Sequence, residues 1–374
     1  MSNSTEVVVA GHICLDLIPS FGPKSGTIKP GALIDVGTMG TYAGGVVANT
    51  GLALTRLGFE VTLIGKIGSD LFGAEIEKII AGHLGTKKTD LVVNPDVSTS
   101  YTVIINQPGI DRTFLHHPGA NDSFFAADID DEALVGVRLF HFGYPPLMAS
   151  MYSDNGAELT KLFSRVKAKG VTTSLDMARP DPQSPAGRAN WKSILKKVLP
   201  YVDIFHPSVD ELLYMLRPDL FENFTNAANL NPAVLDELLN VSISYGAAVV
   251  VLKLGSNGLM IRLGSKERLN SSGPAIPATF TENANTTHYS PCYEAKVIGA
   301  TGAGDCTIAG FLAAALHGRN IADCINIAVG TGSCNVEKAD ALSGVLDWKQ
   351  LNTRISNGWK KEPSTITTTG VIHN

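Results

Sequence analysis

The stretch Val297–Leu316 reads VIGATGAGDCTIAGFLAAAL. Its two halves make opposite demands: Gly302-Ala303-Gly304 loosens the backbone, whereas the apolar run after Asp305 favours a helix. A strand-like segment, YEAKVI (Tyr293–Ile298), precedes it, so the order is strand, tight glycine turn, helix. The first amides of a helix have no partner within it, and its dipole is positive there. Small residues let an anion approach those amides, so Gly302, Ala303 and Gly304 form a candidate anion hole beside the Asp305 carboxylate. A phosphoryl group resting there could be attacked by a hydroxyl whose proton Asp305 accepts. The same letters also describe a plain helix N-cap, and that alternative stays open on this stretch alone. The dinucleotide fingerprint fits poorly because position 307 is a threonine, and no Walker-type G-x-x-x-x-G-K-[ST] occurs.

Outward from this stretch, strand-like and helical segments alternate. EVVVAGHIC (Glu6–Cys14), VTLIGKIG (Val61–Gly68), RLFHFG (Arg138–Gly143), VTTSLD (Val171–Asp176), VDIFHP (Val202–Pro207) and AAVVVLKLG (Ala247–Gly255) read as strands covered on both faces. Between them GVVANTGLALTRLG, NGAELTKLFSRVKAKG and NPAVLDELLNVSISYG read as amphipathic helices that stop at glycine. Such alternation predicts an α/β fold with a doubly wound, mostly parallel sheet whose ligands sit at the strands' carboxyl ends. Residues 17–43 and 98–117 break the rhythm and predict a small antiparallel β lid, the second with a hairpin turn at Pro108-Gly109. Residues 265–290 read as a polar surface excursion with little to anchor it, and 360–374 as a loosely held tail. One domain spanning 1–374 accommodates all of this.

Composition narrows the function. The 374 residues are 44% hydrophobic and 17% charged with net charge -5, which favours neither nucleic acid nor an anionic membrane surface. The five cysteines form no C-x-x-C pair, and no apolar run is long enough to span a bilayer, so a cytoplasmic protein is expected. Cys306 at the start of the late helix reads as packing, and His116-His117 as a lid-end loop.

Several separate motifs, in order along nearly the whole chain, resemble the ribokinase family (PfkB-type carbohydrate kinases). They are VVVAGHICLDLIP, YAGGVVANTGLALTRLG, IGKIGSDLFG, HHPGAN and ATGAGD. The resemblance implies a ribokinase-like fold with a β lid, and an ATP-dependent kinase that uses Mg2+ and phosphorylates a small carbohydrate or sugar acid. It implies that Asp305 is the catalytic base, that Asp16 and Asn49 bind sugar hydroxyls, and that Gly44 and Gly45 let the sugar approach the backbone. It places Lys253, Gly255 and Gly258 beside the nucleotide, with Lys253 standing where many members carry threonine, and Asn335 on the adenine pocket. The family's Asn-x-x-Glu motif, which organises the magnesium shell, appears here as Ser208 to Glu211, with serine replacing asparagine. The usual Asp-Thr-Thr-Gly start of the signature is Gly299-Ala300-Thr301-Gly302, which puts monovalent-cation activation in doubt.

The acceptor is not named by these residues. Arg112 in the lid and Arg179 past a strand end would suit an acidic or phosphorylated sugar if they face the pocket, and solvated loop positions if they do not. Tyr101, Phe114 and Tyr144 could stack a nucleoside base or simply pack, so a nucleoside kinase is the nearer alternative. A sugar- or nucleotide-binding regulator without catalysis is the farther one. Exposed lid edges also predict pairing of two copies as a homodimer.

Overall fold

The computed structural model describes residues 6–22, 28–84, 89–107, 112–364, 366 and 370–374. In chain order the strands begin with β1 (Val7–Gly11), β2 (Cys14–Pro19), β3 (Met39–Gly44), β4 (Val61–Ile64), β5 (Lys66–Gly68), β6 (Val92–Asn94), β7 (Tyr101–Ile105) and β8 (Thr113–His117). They continue with β9 (Leu139–Gly143), β10 (Thr172–Asp176), β11 (Ile204–His206), β12 (Val249–Lys253), β13 (Leu259–Leu263), β14 (Thr287–Ser290) and β15 (Val371–His373).

Nine of these form the main sheet, in the order β15-β14-β13-β12-β11-β10-β9-β1-β4. The six strands from β4 to β12 run parallel, β13 is antiparallel to both neighbours, and β15 joins β14 in parallel. β1, β9, β10 and β11 are buried along their whole length, because helices cover both faces of a parallel sheet. Val7 and Val9 enter one core while Val8 and Ala10 enter the other, so an unbroken apolar run serves two cores at once. The chain leaves β1 towards β4 on one side and later returns to β9 on the other. The crevice between β1 and β9 is therefore the switch point at which doubly wound sheets bind ligands.

A second, smaller sheet, in the order β3-β2-β7-β8, is formed by the segments expected to make a lid. Its two outer pairings are antiparallel, and β2 meets β7 in parallel. The hairpin turn expected at Pro108-Gly109 lies outside the described residues.

Three expectations are corrected. YEAKVI forms no strand: Val297 is 69% exposed, and only Tyr293 makes an isolated bridge, to Lys361. The 265–290 excursion is anchored rather than loose. Leu269, Ala275 and Phe280 are buried, Arg268 pairs with Asp203 at 2.9 Å, and the segment ends in β14. Nor is the tail simply loose, because β15 covers the edge of β14, where unpaired amides would otherwise be exposed. Lys361 helps to fix it, donating to Ser290 Oγ at 2.8 Å and Asn326 Oδ1 at 2.5 Å and reaching the Asn374 carbonyl.

Candidate active site

Five strand ends converge on one crevice. His12 and Asp16 follow β1, Tyr144 follows β9, Asp176 ends β10, Ser208 follows β11 and Lys253 ends β12. The helix Ala303–Leu316 enters from above with nearly every side chain buried, which brings Asp305 to the floor of the crevice at 3% exposure. Gly302 starts this helix at φ 71, a conformation that suits glycine, and a Cβ there would meet Ala341 at 2.5 Å. Cys306 is packing, as its neighbours suggested: the thiol is buried against the Ala341 carbonyl.

Asp305 is held by three donors. Asn49 Nδ2 reaches Oδ2 at 3.0 Å, Thr50 Oγ1 reaches Oδ1 at 3.3 Å, and the Tyr144 hydroxyl donates to both oxygens at 2.8 Å. Burial pushes its pKa up, while the Lys253 ammonium and these hydrogen bonds pull it back. The amide of Ala303 is engaged by the Ala300 carbonyl at 3.3 Å, so that part of the expected anion hole is occupied by the chain itself. Among the described residues the amides of Gly304 and Asp305 have no hydrogen-bond acceptor.

Lys253 stands beside it. A Cβ on Gly304 would lie 3.7 Å from Lys253 Nζ, and Nζ itself pairs with buried Asp176 at 2.6 Å. Burial works against the ammonium, yet Asp176, Glu211 and Asp305 together hold its pKa above the ordinary lysine value. Burial likewise raises the carboxyls of Asp176 and Glu211. Ser208 and Glu211 cap the helix Val209–Leu216 reciprocally: Glu211 Oε2 accepts from the Ser208 amide at 2.6 Å, and Ser208 Oγ accepts from the Glu211 amide at 3.4 Å. Glu211 Oε1 accepts no hydrogen bond among the described residues.

A cavity of about 720 Å³ is lined by Asp16, Gly45, Asn49, Arg112, Arg179, Gly302 and Asp305. A Cβ on Gly44 would lie 2.2 Å from Asp16 Oδ2, and one on Gly45, at φ 84, would lie 2.5 Å from the His12 carbonyl. A side chain at either position would crowd Asp16 or His12, and Gly45 also lines the cavity. Burial pushes the Asp16 carboxyl up to about 6, against hydrogen bonds from Cys14 and Thr102. Arg112, just before β8, donates to Thr301 Oγ1 at 2.8 Å, which ties the small sheet to the turn before the late helix. Arg179 sits at the rim, 55% exposed, with Asp210 at 3.8 Å.

Gly255, Gly258 and Asn335, expected beside a nucleotide, do not line this cavity. Gly258, at φ 95, packs where a Cβ would strike the Ser290 carbonyl at 2.1 Å, while Gly255, at φ 61, faces open space. Asn335 is fully buried, and neither its Oδ1 nor its Nδ2 has a partner. His116 and His117 bond Thr102 and Ser98, and no metal-ligand cluster surrounds them among the described residues.

The family model for pfkB family carbohydrate kinases matches residues 4–348. The chain belongs to this family. It is thus a carbohydrate kinase, a phosphotransferase with an alcohol group as acceptor. This pfkB-family kinase is 26% identical over 296 residues to an uncharacterized sugar kinase of Archaeoglobus fulgidus, covering 79% of this chain and 98% of that one. Its fold is similar to an E. coli chain assigned as a ribokinase II in complex with ATP and Mg2+, with TM-score 0.69, 21% identity and coverage of 95% and 100%. It is similar also to Arabidopsis thaliana ribokinase complexed with ribose and ATP, with TM-score 0.69, 20% identity and coverage of 94% and 98%. No helix among the described residues is long and apolar enough to cross a membrane.

Motif reading of this pfkB-family kinase missed Thr50, Asp176 and His12. Asp176 carried a signal, since it ends a strand-like run where a parallel sheet places its ligand groups. Thr50 and His12 carried none: a threonine inside an apolar helix and a histidine in an apolar strand read equally well as core. His12 is buried with both ring nitrogens unpartnered, and burial, then His116, hold its pKa well below the ordinary value, so it is neutral.

Proposed function

We propose that this protein transfers the γ-phosphoryl group of ATP to a hydroxyl of a small carbohydrate or sugar acid, with Asp305 as the base. One observation carries the reading: the Asp305 carboxylate faces the same cavity as Asp16 and Asn49, and the unpartnered Gly304 and Asp305 amides and the Lys253 ammonium lie next to it. Asp16 and Asn49 hold acceptor hydroxyls. The amides and Lys253 take up the charge that grows on the phosphoryl oxygens, in a site that excludes water. Asp305 receives the acceptor's proton late, which a loose phosphoryl-transfer state tolerates.

Mg2+ fits the donor set. It is usually held by one or two carboxylates together with substrate phosphates, so the absence of a three-ligand cluster among the described residues is compatible with it. Glu211, with Oε1 facing no donor, is the residue that would hold it, and Ser208 fixes that carboxylate through the cap. When bound, the ion neutralises phosphate charge. A carboxylate for a monovalent cation is missing at Gly299 and Ala300, and we expect no potassium activation. Gly255, Gly258 and the unpartnered amide of Asn335 frame the nucleotide's other end, and two copies pair through the exposed lid edges β3 and β8.

The test is an ADP-release assay over sugars, sugar acids and nucleosides, with the parent protein and Asp305→Asn. At least one acceptor should be turned over, and the variant should lose at least about a thousandfold in kcat while binding ATP within about tenfold. Comparable turnover by the variant would remove Asp305 as the base.

A further inference from the structure

Of the three donors on Asp305, Tyr144 differs from the other two. Asn49 and Thr50 belong to the buried helix Gly45–Arg56, whose position the core fixes. Tyr144 stands on the turn after β9, between Gly143 and the Pro145-Pro146 pair. Its backbone lies at φ 65 and ψ 41, in the left-handed region that a bulky side chain rarely adopts. Strain of this kind persists where the surroundings impose it, and it concentrates at functional sites.

The geometry explains what the strain achieves. The Tyr144 hydroxyl sits in the fork of the carboxylate, 2.8 Å from each oxygen. An acceptor hydroxyl about to give up its proton needs that same relation to the base. Tyr144 also lines the acceptor cavity, so its ring and an acceptor compete for one place. Its ring lies 5.8 Å from the buried imidazole of His12, whose nitrogens have no partner among the described residues.

We infer that the Tyr144 hydroxyl stands in for the acceptor's hydroxyl on Asp305 and keeps water off the base until an acceptor displaces it. The inference rests on Asp305 being the base. Without such an occupant, ATP bound beside an ionised carboxylate would be exposed to hydrolysis. Water oxygen would bond to the γ-phosphorus, the bond from that phosphorus to the β,γ-bridging oxygen would break, and the water proton would pass to Asp305. Filling the fork with a hydroxyl fixed to the chain removes that water. A phosphorylatable acceptor then restores the arrangement with its own hydroxyl.

Tyr144→Phe keeps the ring and removes the hydroxyl. Acceptor-free ATP hydrolysis should rise by roughly tenfold or more, the acceptor KM should fall several-fold, and kcat for acceptor phosphorylation should stay within about threefold. Tyr144→Leu, which also lacks the hydroxyl, should show the same split if the Phe variant is poorly folded. A fall in kcat with acceptor-free hydrolysis unchanged would make Tyr144 only a prop for Asp305 and overturn the inference, as would kinetics unchanged throughout. The double variant Tyr144→Phe/Asp305→Asn should lose the added hydrolysis. Turnover surviving in Asp305→Asn alone would overturn the base assignment. Absence of extra hydrolysis in Tyr144→Phe, where Asp305→Asn does silence the enzyme, would sink this inference alone.

Discussion

An Asp16→Asn variant is expected to be more stable than the parent protein at neutral pH and much worse at its reaction. Asp16 points from β2 into the space that Gly44 leaves open, and burial lifts its carboxyl from 3.8 to about 6, with Asp305 adding a like charge. A shift of roughly two units corresponds to about 3 kcal/mol. The sign follows from the direction. Near pH 3 the carboxyl is protonated in both folded and unfolded chains and costs nothing. As pH rises through 4 the unfolded chain ionises first, and once pH passes about 6 the folded chain carries the whole penalty. Asparagine removes the penalty, so the variant's advantage should be absent near pH 3 and reach about 3 kcal/mol by pH 8. For a chain of this length that is about 4 °C in Tm, at ~2 cal/mol/K of unfolding entropy per residue. Urea denaturation at pH 4, 6 and 8 measures the advantage, and the acceptor KM measured alongside should rise by about a hundredfold. An advantage that does not grow with pH, or a variant less stable at pH 8, would refute the reasoning that burial dominates Asp16.

Lys253→Met should cost about 3–5 kcal/mol in urea denaturation, because Asp176 and Glu211 would remain buried without their cation. Adding Asp176→Asn to it should recover most of that loss. Deleting residues 370–374 removes β15 and the Lys361 contact to Asn374, and should lower Tm by a few degrees, at about 1–2 kcal/mol. Scanning calorimetry reads this, and an unchanged transition would show that the β14 edge does not need its cover.

The helix that buries Asp305 was legible because an apolar run of good helix formers behind a glycine turn has few other uses. The strands β1, β9, β10, β11 and β12 were legible for a related reason, since short, mostly apolar runs without alternation need cover on both faces. Elsewhere local letters misled. YEAKVI has strand-forming residues and the tail has few apolar ones, yet the chain gives the first only an isolated bridge and places Val371–His373 against β14. Pairing depends on which edge is vacant, and that is a property of the assembled sheet. Gly44 and Gly45 show the same limit within the site. Their identity was readable, but the groups that fill their space, Asp16 of β2 and His12 in the link before it, come from elsewhere in the chain.

Order along the chain therefore determined the parallel sheet, the lid segments and the carboxylate at the start of the late helix, because periodicity, glycine turns and helix ends act over a few residues. The tertiary structure alone decided that Tyr144, Thr50 and Asn49 share Asp305, that Lys253 answers Asp176, and that Arg112 reaches Thr301. Those contacts join residues far apart in sequence. Their energies depend on burial and distance, which exist only once the strand ends have converged.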